Sequence, residues 1–272
     1  MMISFIGGGN MASALIAGLA GKLTAGVNIH VVDPNADALA HLSAQYGVST
    51  AATIGEALAL SDVIVLAVKP QNMREVAAAL LPHLAALQPL ILSIAAGIRA
   101  ADLSRWLCGY GAIVRTMPNT PALIGMGITG MVAMDGVSAA QKAAANDIMQ
   151  AVGQTVWLDD EAQIDPVTAV SGSGPAYVFY FIEAMQQAAV ELGLSQEQGR
   201  QLALATFTGA AQLAAQSSDP VPVLREKVTS KGGTTYAALA SMESSGVKQK
   251  IIDAVKAAAA RGREMGAELG KD

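Results

Sequence analysis

Over its first 160 residues the chain switches repeatedly between two hydrophobic periods, a pattern that few folds accept. Runs rich in apolar residues at 3–7, 28–33, 62–68, 90–95 and 112–116 alternate with helical runs at 10–22, 36–46, 71–81 and 100–107. Two later strands, 128–134 and 154–158, flank a helix at 138–152. The run 62–68 (DVIVLAV) is almost continuously apolar, as a strand buried on both faces requires. Such alternation predicts an α/β fold built on a doubly wound, parallel sheet.

Beyond residue 160 the strands stop, and 175–192, 195–215, 221–227, 235–244 and 247–269 all read as helices. The expected division is an α/β domain at 1–160 and an all-helical domain at 161–272. Residues 203–215 carry no charge, and a helix apolar all round is buried. About 110 residues are too few to bury several such helices well within one domain, so an obligate homodimer through the helical half is expected.

Composition needs an explanation of its own. The chain is 52% hydrophobic and 14% charged, whereas an ordinary domain carries roughly 25% charged residues. A bilayer span needs about 20 apolar residues in a row. The uncharged stretches 1–21, 76–98 and 116–134 are interrupted by glycines, by Pro82 and Pro89, and by Pro118 and Pro121. No membrane span or signal peptide is expected, and a cytoplasmic address is the default. A net charge of −5 argues against a nucleic-acid partner. The single cysteine, Cys108, allows no internal disulfide or cysteine metal cluster and is expected to fill core space. No metal site is expected.

The stretch from Ile3 to Ala12 reads strand, glycine turn, helix, and fits G-x-G-x-x-A at Gly7, Gly9 and Ala12. Gly7 makes the tight turn, Gly9 lets the backbone approach a pyrophosphate, and Ala12 keeps the helix close to the sheet. Free amides at the helix start attract the phosphates. Three adjacent glycines also suit any tight turn, but the position opening a βαβ unit favours a Rossmann-type dinucleotide site. Asp33 ends the next strand, where an acid accepts the ribose 2′-OH of NAD and repels the 2′-phosphate of NADP. Neither Arg nor Lys stands between Lys22 and Lys69, so the residues lean toward NAD or mixed use. Ala67-Val68-Lys69-Pro70 and Ala95-Ala96-Gly97 follow later strands at the same sheet edge. Lys69 alone would be a solvated charge, and Arg115 could serve only as a structural partner for a carboxylate.

His30, His41 and His83 lie in no motif, and no lysine occurs between Lys142 and Lys227. A hydroxyacid dehydrogenase that needs a strong base there is disfavoured. A protonated cyclic imine is already electrophilic, so a hydroxyl can suffice to orient it. Residues 228–237 (VTSKGGTTYA) form a glycine loop entering a helix, whose amides and hydroxyls can cradle a small carboxylate or merely cap the helix. The segment 171–175 (SGSGP) has the same ambiguity. A non-catalytic nucleotide sensor would leave the 228–237 loop without a purpose.

Taken together, FIGGGNM at 5–11, AVKPQ at 67–71, AAG at 95–97, MPNTP at 117–121, AVSGSGPAY at 169–177 and the loop 228–235 resemble pyrroline-5-carboxylate reductase, in order along nearly the whole chain. The resemblance implies reduction of 1-pyrroline-5-carboxylate to L-proline with NADPH or NADH, the last step of proline biosynthesis. It implies dimerisation through the helical domain, with decamers in many members. Ile6, Gly7, Gly8, Gly9, Asn10 and Met11 would then bind the dinucleotide phosphates. Ala67, Val68, Lys69, Pro70, Ile94, Ala95 and Ala96 would line its nicotinamide half. Ser230, Gly233, Thr234 and Thr235 would hold the substrate carboxylate, with Thr235 also hydrogen-bonded to the imine nitrogen. Glu161 matches a substrate-side acid through a looser stretch. Lys231, Lys227 and Asp33 depart from common family residues, and Asp33 leaves the cofactor preference open.

Overall fold

A computed structural model describes residues 1–84 and 88–271, and the chain divides into two compact units. The first comprises Met1–Ser173 and Ala257–Asp272, the second Gly174–Lys256. The first unit therefore runs past residue 160 and takes back the end of the chain.

The first unit is the expected α/β layer structure. Its strands are β1 (Ile3–Ile6), β2 (Ile29–Val32), β3 (Ser49–Ala51), β4 (Val63–Leu66), β5 (Leu90–Ser93), β6 (Ile113–Met117), β7 (Gly127–Ala133) and β8 (Gly153–Trp157). They form one sheet in the order β3-β2-β1-β4-β5-β6-β7-β8. Its helices are α1 (Asn10–Leu19), α2 (Ala36–Tyr46), α3 (Met73–Leu80), α4 (Ala100–Trp106), α5 (Ala139–Gln150) and the short α6 (Ile164–Val167). Alternate strand residues enter different cores: Phe5, Val31, Val65 and Leu92 join Leu15, Leu19 and Ile148, whereas Ile6, Val32, Ile64 and Ile91 join Met73, Leu80 and Leu103. Each fully buried Leu or Ile contributes roughly 1.5–3 kcal/mol. Burial on both faces explains the uninterrupted apolar runs.

The sheet departs from purely parallel at one place. β6 and β7 are antiparallel, with Val114 opposite Ala133 and Met117 opposite Gly130. The connection 118–126 is too short for a parallel crossover, which takes about a dozen residues or more. β7 and β8 return to parallel pairing through α5.

Cys108 is not in the core. It is exposed, with φ of 55° in the turn that ends α4, immediately before Gly109 at 86°. Two successive left-handed residues reverse the chain there and turn the thiol outward.

The second unit contains α7 (Gly174–Glu191), α8 (Gln196–Gln216), α9 (Val221–Lys227), α10 (Thr234–Ser244) and the first part of α11 (Val247–Leu269). Only Gly199 and Ala203 of α8 are buried. Phe179, Tyr180, Leu202 and Leu213 are 65%, 71%, 56% and 58% exposed. The uncharged helix predicted to be buried thus lies open in the single chain. Among the described residues no helix is long and apolar enough to cross a membrane.

Candidate active site

β1 ends at the point where strand order reverses, with β2 on one side and β4 on the other. A crevice at such a switch point is where open α/β sheets bind ligands. Gly7 turns the chain there with φ of 105°, and a Cβ would lie 2.6 Å from the Ala67 carbonyl oxygen. Conformation and space both demand glycine. Gly9 is the N-cap of α1, with no side-chain cap and nothing within 4 Å of where its Cβ would stand. The first amides of α1, from Asn10 and Met11, are therefore left for an anion.

Asp33 extends from β2 toward this turn. Its Oδ2 accepts from the Gly8 amide at 2.7 Å and its Oδ1 from the Asn35 amide at 2.7 Å. A cleft of about 420 Å³ opens beside it, lined by Ile6, Gly7, Val32, Asp33, Pro34, Ala52, Thr53, Ile54, Val68, Asn72, Glu75, Val76 and Ala79. Val32, Ile54, Val68 and Val76 offer an apolar wall that suits a nucleobase, and Asp33 supplies an acceptor for ribose hydroxyls. The residues present fit the adenosine half of a dinucleotide.

The loops after β4 and β5 sit at the same sheet edge. The Ala67 amide donates to the Ile6 carbonyl at 2.8 Å, and the Ile94 amide to the Leu66 carbonyl at 3.2 Å. These bonds hold both loops at the C-terminal ends of β4 and β5. Ala95 is buried, Ala67, Val68, Pro70, Ile94 and Ala96 are half-buried, and Lys69 is exposed. Gly97, at φ 76°, lies under Leu269 and Met265 of the returning α11.

Glu161 is engaged within the first unit. Its Oε1 accepts from Arg115 Nη1 at 2.8 Å and from the Ala100 amide at 2.6 Å. The Arg115 side chain is 5% exposed and that of Glu161 30%. Arg115 is thus the structural partner of a carboxylate, and that carboxylate is Glu161. Its bond to Ala100 fixes the start of α4, just after the Ile94–Gly97 loop.

In the second unit, residues 228–233 lead into α10. Gly232 takes φ of 74°, the Gly233 amide donates to the Ser230 carbonyl at 3.0 Å, and Gly233 caps α10 without a side-chain bond. The amides of Thr234 and Thr235 therefore open the helix free, and both residues are exposed, as is Ser230. The structure brings Ser230, Gly233, Thr234 and Thr235 together in one loop. The SGSGP segment is not a plain cap: Thr168–Gly172 is a π-helical turn, in which Ser171 Oγ donates to the Val167 carbonyl at 3.0 Å.

A switch-point glycine turn with a strand-end acid, on a sheet of this order, defines a Rossmann-type nicotinamide-dinucleotide oxidoreductase. The family model described as pyrroline-5-carboxylate reductase dimerisation matches residues 161–265, and that described as NADP oxidoreductase, coenzyme F420-dependent, matches 2–97. The chain belongs to the pyrroline-5-carboxylate reductase family. It is 46% identical to the pyrroline-5-carboxylate reductase of Pseudomonas aeruginosa over 99% of this chain and 98% of that one. The solved structure of the Coxiella burnetii pyrroline-5-carboxylate reductase matches with a TM-score of 0.91 at 39% identity, covering 97% of each chain. The Plasmodium falciparum pyrroline carboxylate reductase, solved with NADP bound, matches at 0.87 and 32% identity, covering 98% of each.

Thr53, Asn72 and Glu75 also line the cleft beside Asp33, and none of them stands in a sequence motif. Glu75 carries a usable signal, since it lies in the first turn of the helix that follows the AVKPQ motif. Thr53 had none, because the short β3 that places it was not recognised.

Proposed function

We propose that the chain reduces 1-pyrroline-5-carboxylate to L-proline with NAD(P)H, the last step of proline biosynthesis. The observation that carries this reading is likeness along the whole chain, at 46% identity over 99% of its length, to a protein named for that reaction. A bound reduced nicotinamide supplies the hydride. The α1 amides hold the pyrophosphate, and the loops at Ala67–Pro70 and Ile94–Ala96 support the nicotinamide half.

The substrate carboxylate rests on the free amides of Thr234 and Thr235 and on the hydroxyls of Ser230 and Thr234, favoured by the positive end of α10. The Thr235 hydroxyl hydrogen-bonds the imine nitrogen and holds it as its charge changes. Glu161, whose Oε1 accepts from Arg115 and the Ala100 amide, positions the loop before α4 on the substrate side. The functional unit is a cytoplasmic homodimer joined through the helical unit, with a decamer as a further assembly. The exposed Phe179, Tyr180 and Leu213 supply the apolar surface for it.

Thr235→Ala tests the chemistry. Because the hydroxyl helps most as charge moves on nitrogen, kcat should fall by about tenfold to a hundredfold while KM changes far less. An unchanged kcat would remove Thr235 from the mechanism.

A further inference from the structure

The loop between β5 and α4, residues 94–99, belongs to no strand or helix, so its shape is set by what packs against it. One end is tied to β4 through the Ile94 amide, and the other to Glu161 through the Ala100 amide. Its middle, Gly97 at φ of 76°, is covered by the last turns of α11. A Cβ on Gly97 would stand 3.1 Å from Leu269 Cδ1 and 3.5 Å from Met265 Cβ. Leu269 packs against the same core as Ala95, Ile98, Ala100 and Leu103. Gly266 is buried, and a Cβ on it would lie 3.7 Å from the Gly97 carbonyl oxygen, so helix and loop meet backbone to backbone.

A cluster on α4 holds α11 in that place. The Asp102 side chain is only 3% exposed and accepts from Arg99 Nε at 2.5 Å and from Arg105 Nη1 at 2.9 Å. A buried carboxylate is tolerated when it is paired and hydrogen-bonded, and here it orients both guanidinium groups. Arg105 Nη2 then donates to the Gly270 carbonyl at 2.6 Å. Carbonyls at a helix C-terminus lack partners and carry partial negative charge. α11 has no basic residue in its own last turn, so Arg105 supplies that cation from another helix. A Cβ on Gly270 would overlap the Asp102 carboxylate, which means that the two segments meet with no side chain between them. Ion pairs at i,i+3 that served α4 alone would explain Asp102, but not the second bond of Arg105 or the close approach of Gly270.

We propose that Asp102, Arg105 and Leu269 are positioning residues for the dinucleotide. The Asp102–Arg105–Gly270 cluster seats Leu269 on Gly97, and that contact sets the place of the loop Ile94–Ala96 that supports the nicotinamide half. The proposal rests on the reductase reading for the role of this loop and goes beyond it by assigning residues that act through the loop. On the same reading the pyrophosphate and adenosine are held at the α1 amides and beside Asp33, so the effect is confined to one half of the cofactor.

Titration of the full chain with NADH and NADPH, and with ADP-ribose, which lacks the nicotinamide ring, tests it. Leu269 is half-buried, so shortening it leaves the sheet and its core in place. Leu269→Ala should weaken the reduced dinucleotides by about threefold to thirtyfold, the span by which residues outside a binding site shift affinity. ADP-ribose should change by less than about twofold. Leu269→Met, which keeps the bulk, should bind like the parent. Arg105→Gln and Gly270→Ala unseat the same turn from two other sides and should repeat the pattern of Leu269→Ala. A merely structural role would weaken all three ligands alike. Equal weakening of ADP-ribose and the dinucleotides, or dinucleotide binding that neither Leu269→Ala nor Gly270→Ala alters, overturns the proposal. Imine-dependent oxidation by the unaltered chain is read separately, so those results leave the reductase reading intact. An unaltered chain that binds no reduced dinucleotide overturns both.

Discussion

The Arg115 guanidinium and the Glu161 carboxylate meet at 2.8 Å, with the cation almost wholly buried and the acid only partly so. The same acid oxygen accepts from the Ala100 amide at 2.6 Å. Glu161→Ala strands a buried charge, which in a fully buried pair costs about 3–5 kcal/mol. Partial exposure of Glu161 reduces this to about 1–3 kcal/mol. Urea unfolding should show that loss, and adding Arg115→Met should recover part of it. A Glu161→Ala protein as stable as the parent would mean that the pair holds nothing in place.

Gly7→Ala meets two obstacles at once, a φ of 105° and a carbonyl oxygen 2.6 Å from the new Cβ. Strain of this kind costs about 1–3 kcal/mol, and relief would move the loop at Ala67. Dinucleotide affinity should fall by at least about tenfold in a fluorescence titration. Gly9→Ala, where the Cβ meets nothing within 4 Å, should fold normally and lose affinity only through closer contact with the ligand.

Burial holds the His30 imidazole below its ordinary pKa of 6.5. The unfolded chain therefore binds the proton more readily than the folded one, and stability falls as pH drops. The contribution is fully present above about 6.5 and is lost as pH falls through the lower, folded value. The slope from this one group is at most about 1.4 kcal/mol per pH unit. His30→Gln should flatten that part of the stability profile in chemical denaturation, and an unchanged profile would contradict it.

The open apolar helices predict self-association. Sedimentation equilibrium should give a dimer or a larger multiple, and the melting temperature should rise with protein concentration. Phe179→Asp or Leu213→Asp should shift the equilibrium toward monomer and lower the melting temperature. A stable monomer whose melting temperature ignores concentration would refute the dimer.

The parts of the fold legible in the sequence were those fixed by neighbours along the chain. α2 runs from Ala36 to Tyr46 as predicted, because Asn35 caps it by accepting from the Asp37 and Ala38 amides and Gly47 ends it at φ of 67°. The run 10–22 ends early, at Leu19, because the chain turns through Gly21 at φ of 77°. β3 has only three residues, none of them buried, so no hydrophobic period announced it. The antiparallel β7 follows from a short connection that composition does not reveal.

At the site the same division holds. The glycine turn and the α10 loop are contiguous motifs and could be read directly. The Arg115–Glu161 pair joins positions 46 residues apart, and Glu75 reaches the cleft only through the packing of α3. The exposure of Cys108 is not legible in the sequence, because the reversal that produces it depends on backbone angles, whereas apolar character alone suggests burial. The shortage of charge, 14% of residues, falls on strands covered on both faces and on helices whose apolar side chains lie exposed in the single chain.

The most direct test is oxidation of NADH and NADPH by the purified chain, followed with and without 1-pyrroline-5-carboxylate. Oxidation should depend on the imine and yield proline in equal amount. No imine-dependent oxidation of either dinucleotide would contradict the account at its centre.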